Sequence, residues 1–590
     1  DHRSMQLEKW NVPITVNGDL KSFELQSNLQ CLEPGLCFYH ITLQSPQADT
    51  PPDISLKWDW PGAQTLALWH PTQGPRHNLS PIWGGPPLES RSASSAPVMS
   101  AYHLDGTNRL TFACDDALHP VGFKIGVVEE TGCMACELIP FRGQRSAQEQ
   151  FSFTLRLDVR QITLTQALSD TAEWWECMDG HQPLDVPDAG LLPMYSTWYS
   201  YHQSVDSASI EAEYKLAYDM GCRAVIMDDG WQTNDTQRGY AYTGDWKPQR
   251  LTDIKEHVQR VHDMGMKYIL WYSVPFVGYE SENYDRFKGM YLYDQDRSKA
   301  SVLDPRYPQV REFLIQTYLD AQRKWELDGF KLDFVDSFRA PENQHPDAKP
   351  GRDMDDVYEA VDVLLKDVVY SLKAANPEIL IEFRQSYIGP LMRSYGNLFR
   401  AGDCPMDPVT NRVQTLNLRL LSRDTAVHSD MFMWHPEESV EAAALQLLNV
   451  FFSVPQVSVK LAKISDAQRA MLKHYLGLWI KLRDTLMHGK LRVSDPHQNY
   501  TYAYTLDDKN IVGLMFTGRM MKVCELHIPD HYYINSSPIP GMILQSRRGM
   551  HGAWTITDCL GNTVANGQLT GTTLQHFDVP VAGMLHLTLI

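Results

Sequence analysis

At 590 residues the chain is too long for a single hydrophobic core, and 43% hydrophobic with 21% charged residues is the composition of a folded protein, not a disordered one. Its 53 basic against 72 acidic residues give a formal charge of −19, which weighs against nucleic acid or an anionic membrane surface as a partner. No stretch approaches the roughly 18 apolar residues of a membrane span, and there is neither a phosphate-binding glycine loop nor a convincing zinc-ligand array.

No signal peptide is visible. Asp1 is not a natural start, and Met5 reads as the initiator behind a vector remnant. That reading favours a cytoplasmic protein, with a secreted mature form as the alternative. The ten cysteines are scattered instead of forming a framework, so reduced thiols are expected. Cys133 and Cys136 have redox spacing but no second pair to support such a role.

In chain order, residues 1–185 read as short alternating runs between turn signals, as in 38–43 and 151–157, and predict a β-sandwich. The Pro/Gly/Ser-rich stretch 80–97 predicts a long loop. From 186 to 490 apolar runs alternate with helical periods. Strands are predicted over 192–198, 223–228, 267–271, 329–333, 379–383, 397–401, 425–431 and 454–459, the last weakened by Pro455. The clearest helices cover 207–219, 254–264, 308–325, 354–374, 438–450 and 465–482. Eight such strands fit a (β/α)8 TIM barrel. Residues 491–590 lose the helical period, and 500–506, 510–516, 523–528 and 585–590 predict strands of a small C-terminal β-sandwich domain. The chain is thus multidomain, with the barrel at its centre.

Barrel enzymes place their chemistry at the C-terminal ends of the strands, and that is where the charged residues collect. Strand two ends Asp228-Asp229-Gly230-Trp231, strand four Lys331-Leu332-Asp333, strand five Glu382-Phe383-Arg384, strand six Arg400-Ala401-Gly402-Asp403 and strand seven Ser429-Asp430-Met431. Each has a bland explanation: Asp228 and Asp229 as turn or cap residues, Lys331 as an ion-pair partner of Asp333, Arg400 and Asp403 as a rim salt bridge, Asp430 as a helix cap. Five charged strand ends in one barrel weaken that explanation, because buried charge is costly unless paired or used. Breaking a glycosidic bond requires one carboxyl to attack C1 and another to protonate the leaving oxygen. By the period of two, Lys331 shares a face with Asp333 and would keep it ionised. Strands four and six are two apart, so Asp333 and Asp403 could face each other across the mouth.

These motifs resemble the melibiase-like α-galactosidases of glycoside hydrolase family 36, in the clan shared with family 27, along essentially the whole chain. The resemblance implies a retaining α-galactosidase with Asp333 as nucleophile and Asp403 as acid/base. It implies a sugar site built from Trp198, the Asp228–Asp229 pair for the O4 and O6 hydroxyls, Trp231, Lys331, Arg400 and Asp430, and Trp271, Glu382, Arg384 and Tyr387 at neighbouring strand ends are further candidate sugar contacts. No metal or organic cofactor is implied, and the expected partner is an oligosaccharide or glycoside, with homo-oligomerisation open. Strand five, Glu382-Phe383-Arg384-Gln385-Ser386-Tyr387, departs from the family's Cys-Ser-Gly-Gly-Gly run near the sugar O2. An α-N-acetylgalactosaminidase or a transglycosylase is therefore the alternative, and a non-catalytic carbohydrate-binding protein is the alternative of another class.

Overall fold

The computed structural model describes residues 3–103, 105–143, 145–341 and 349–590. Near the N-terminus a six-stranded and a five-stranded antiparallel sheet pack face to face. Their inward side chains form one core, with Trp58 of one sheet set edge-on against Phe112 of the other, ring centres 5.0 Å apart. The stretch expected to be only loop contains a short strand, Leu88–Ser90, paired with Val121–Phe123. Three residues are too few for their alternation to register in the sequence.

The expectation of reduced thiols fails at one pair: Cys31 and Cys37 are disulfide-bonded. They lie directly opposite each other on adjacent antiparallel strands, a juxtaposition set by register and invisible in the spacing of six residues. Among the described residues the other eight cysteines, Cys133 and Cys136 included, are free thiols.

The centre is an eight-stranded parallel sheet in sequential order, Met194–Ser196, Ala224–Met227, Lys267–Ser273, Gly329–Asp333, Leu380–Arg384, Leu398–Arg400, Ala426–His428 and Gln456–Val457. The first strand pairs with the eighth, and bridges from His428 to Val454 and from Phe432 to Val457 close the ring. The strands are buried on both faces, which is why they read as unbroken apolar runs. The eighth is only two residues long, because Pro455 has no N–H to add to the ladder. The surrounding helices start and stop where local chemistry dictates. Asp206 caps Ser207–Met220, which ends on left-handed Gly221; Pro308 opens Pro308–Trp325; Ser465 and Gln468 form a capping box on Asp466–Lys481.

The C-terminal part pairs a seven-stranded with a three-stranded sheet over a shared core. The strand expected over 523–528 lies earlier, at Met520–Val523. Among the described residues no helix is long and apolar enough to cross a membrane.

Candidate active site

Asp333, the last residue of the fourth barrel strand, is 7% exposed and has donors around both carboxylate oxygens. Its Oδ2 accepts from Trp271 Nε1 at 2.9 Å, while Oδ1 accepts from Arg384 Nε at 2.9 Å, the Phe334 backbone N–H at 3.0 Å and the Tyr387 hydroxyl. Phe334 lies at φ 63, a left-handed conformation rare for a bulky residue, which turns its N–H back onto the carboxylate. Burial pushes the Asp333 carboxyl up, but Arg384, Lys331 and these hydrogen bonds outweigh it and hold the group well below the usual range.

The cation touching Asp333 is Arg384, not Lys331. The lysine reaches across the barrel interior to Asp228, with which it forms a buried ion pair. Residues of like parity on different strands share an interior layer, and that geometry overrides closeness along one strand. Burial nonetheless outweighs Lys331 at Asp228 and raises its carboxyl.

Among the described residues no cation pairs with Asp229. Its two oxygens accept from Gln203 Nε2 at 3.0 Å and Gln232 Nε2 at 2.7 Å, and burial pushes its carboxyl up to about 7. Both amides are aimed: Gln203 Oε1 accepts the Arg238 N–H at 3.0 Å and Gln232 Oε1 the Gly230 N–H at 3.1 Å. Gly230, at φ +132, packs so closely on residue 203 that a Cβ would meet the Gln203 Cα at 2.7 Å.

Arg400, 1% exposed, is the second hub. It pairs with Asp430 through Nη1, with Asp403 through Nη2 at 2.9 Å, and with Glu382, whose Oε1 lies 3.4 Å from Nε. Asp430 is no helix cap: it also accepts from the Tyr199 hydroxyl at 2.9 Å and the Cys404 N–H at 2.8 Å, and burial lifts its carboxyl to about 6. Glu382 is fully buried inside the barrel, where Gln456 Nε2 donates to it at 2.7 Å.

The rim salt bridge between Arg400 and Asp403 does form, and the Asp403 side chain remains 48% exposed. Burial opposes its ionisation, but Arg400, Lys331 and Arg384 outweigh burial and lower the carboxyl. The surrounding cations thus favour the ionised form of Asp403. Asp407, four residues on, accepts from Thr410 N at 3.0 Å and Oγ1 at 2.6 Å as the cap of helix Pro408–Ser422 and stays outside the cluster.

Of the tryptophans, Trp271 touches Asp333. Trp198, half-buried after the first strand, has Arg238 over its ring at 5.5 Å. Trp231 is a correction. It is fully buried, donates to the Trp271 carbonyl at 2.9 Å and is covered by Trp246, Tyr272 and Trp325, so no ring face is left for a ligand.

The sequence reading missed Gln203, Gln232 and Tyr199, whose neutral side chains carry no local signal. It also missed Arg91 and Ser95 of the N-terminal sandwich. Arg91 Nη2 donates to the Asp336 carbonyl at 2.8 Å and the Ser95 N–H to the Ser386 carbonyl at 2.7 Å, bracing the loops after strands four and five.

Residues 193–391 match the Melibiase family model. An "A type blood alpha-D-galactosamine galactosaminidase" of Flavonifractor plautii is 25% identical over a segment covering 28% of this chain and 16% of that protein. Alpha-galactosidase AgaA of Geobacillus stearothermophilus is 23% identical over 26% of this chain and 23% of its own length. The chain thus matches less than a quarter of the length of either relative. In three dimensions the likeness is much broader. An α-galactosidase from Lactobacillus brevis superposes with TM-score 0.66 at 16% identity, covering 98% of this chain and 82% of that one. AgaA in complex with raffinose gives 0.64 at 14% identity over 98% and 83%.

Proposed function

We propose that this chain, a member of the melibiase-like glycoside hydrolase family 36 in its barrel and its architecture, hydrolyses terminal α-galactosides by double displacement. The observation that carries this is Asp333: a buried carboxylate at the end of strand four, held ionised by Arg384 and aimed by Trp271, Tyr387 and the Phe334 N–H. Such a group is an anchored nucleophile. Asp403 is assigned as acid/base, because it is the half-exposed carboxylate that shares the field of Lys331 and Arg384 with Asp333.

In the first step an Asp333 oxygen bonds to C1 as the C1–O bond to the aglycone breaks and Asp403 delivers a proton to the departing oxygen. In the second, water attacks C1, Asp403 takes its proton, and the bond to Asp333 breaks, returning the α-configuration. Asp403 must first be protonated. A sugar in the site excludes water from its carboxyl, which favours the neutral form, and Arg400 keeps Asp430 and Glu382 as partners once Asp403 is neutral. Asp228 with Lys331, and Asp229, supply acceptors and a donor for the O4 and O6 hydroxyls, and Trp198 offers a half-exposed ring to the sugar face.

A second reading, hydrolysis of a 2-amino or 2-acetamido galactoside, is favoured by the strand-five loop, where Arg384 and Tyr387 stand in place of a glycine run. A panel of aryl α-glycosides tests both. Turnover of the galactoside is expected; preference for a 2-substituted analogue selects the second reading, and no turnover of any member refutes hydrolysis. Proton NMR in the first minutes is expected to show the α-anomer, and an early β-anomer would end the retaining mechanism.

A further inference from the structure

We propose that His119, Asp356 and Glu359 form a zinc site joining the N-terminal sandwich to the barrel. His119 lies in the turn between the sandwich strands Asn108–Cys114 and Val121–Val128. Asp356 caps the barrel helix Val357–Ala375, and Glu359 stands in its first turn. Although 237 residues separate His119 from Asp356, one ligand atom from each of the three residues lies within 4.8 Å of the others.

Both distances from the histidine bracket the spacing expected around a tetrahedral ion. Metal–ligand bonds of about 2.0–2.1 Å place neighbouring ligand atoms about 3.3–3.4 Å apart. His119 Nε2 lies 3.1 Å from Asp356 Oδ2 and 3.6 Å from Glu359 Oε1. The supporting groups are already in place. Asp116 Oδ2 lies 3.3 Å from His119 Nδ1, the carboxylate–histidine arrangement that directs the other ring nitrogen to a metal. Asp116 Oδ1 is itself fixed by the N–H groups of Leu118 at 3.1 Å and His119 at 2.9 Å. Asp356 Oδ1 takes the N–H groups of Tyr358 at 2.8 Å and Glu359 at 3.1 Å, leaving Oδ2 turned to the histidine.

Charge points the same way. Three carboxylates, Asp116, Asp356 and Glu359, lie around the His119 ring, and the Arg145 guanidinium lies 3.6 Å from Asp116. With His119 neutral, the cluster has the excess negative charge that a divalent cation neutralises. The Glu359 side chain, 45% exposed, opens the site to a cation and to a water as fourth ligand. One imidazole nitrogen with two carboxylates suits zinc better than calcium, which collects six to eight oxygens. Binding zinc through Nε2 requires the neutral imidazole, so binding weakens as pH falls.

The test uses the full chain, stripped with a chelator and re-dialysed against zinc chloride at pH 7.5. One zinc retained per chain and a thermal midpoint raised by zinc are expected. His119→Gln and Glu359→Gln should retain none. Asp116→Asn, which keeps all three ligands, should bind about 10–100-fold more weakly. Glu359 is exposed enough that its substitution leaves the fold intact if His119→Gln does not. No stoichiometric zinc in the wild-type chain, zinc retained by Glu359→Gln, or a midpoint raised equally by calcium alone would each overturn the assignment.

Discussion

Asp229→Asn removes a charge that folding forces into a buried site, and its effect has a defined pH signature. The Asp229 carboxyl lies at about 7 against an ordinary 3.8, the main cause being burial. Below pH 3.8 folded and unfolded chains both hold the proton, so the two proteins differ there only by a constant offset, in which the new amide offers its oxygen to one of the donating Gln203 and Gln232 N–H groups and an NH2 to the other. Between 3.8 and 7 the unfolded chain releases its proton while the folded chain keeps it. Over that window wild type loses stability relative to the variant by about 1.4 kcal/mol per pH unit. Above 7 both states are ionised and the deficit levels off at about 4 kcal/mol. Thermal midpoints of the two proteins from pH 4 to 8.5 measure this. The variant should gain steadily on wild type up to pH 7 and hold its lead beyond, while its kcat/KM falls through loss of an ionised acceptor for the sugar hydroxyl. A midpoint difference that is flat with pH, or one that favours wild type increasingly toward pH 8, would refute the burial argument.

Asp333→Asn should abolish turnover of an aryl α-galactoside with circular dichroism unchanged, and substantial residual activity would move the nucleophile elsewhere, with Asp336 next in line. Asp403→Ala should slow substrates with poor leaving groups most and stall activated ones at the glycosyl-enzyme, with azide restoring turnover. Asp407→Ala should show no such rescue and instead cost about 1 kcal/mol of stability as a lost helix cap. Trp198→Ala should raise KM with little change in thermal midpoint, whereas Trp231→Ala should lower the midpoint sharply, about 3–5 kcal/mol for emptying a buried tryptophan site.

The sequence by itself determined the barrel. Its strands are covered on both faces, so apolar runs alternating with helical periods are readable without any tertiary information, as at Gly329–Asp333 and Pro308–Trp325, which the structure reproduces residue for residue. It also put Asp228, Asp229, Asp333, Arg400, Asp403 and Asp430 at strand ends, because a charge closing an apolar run stands out locally. Which charge meets which was decided only in three dimensions. Lys331 pairs with Asp228 across the barrel, not with Asp333 on its own strand, since interior layers collect residues from different strands. Arg384 approaches Asp333 from the neighbouring strand, and Trp231 turns into the core behind Trp271 instead of toward a sugar. The Cys31–Cys37 bond depends on hairpin register, and the Asp116–His119–Asp356–Glu359 cluster on the packing of a sandwich turn against a helix start. Periodicity is a property of consecutive residues and survives in the sequence; pairing depends on where the folded backbone carries distant residues, and one-dimensional spacing holds no record of that.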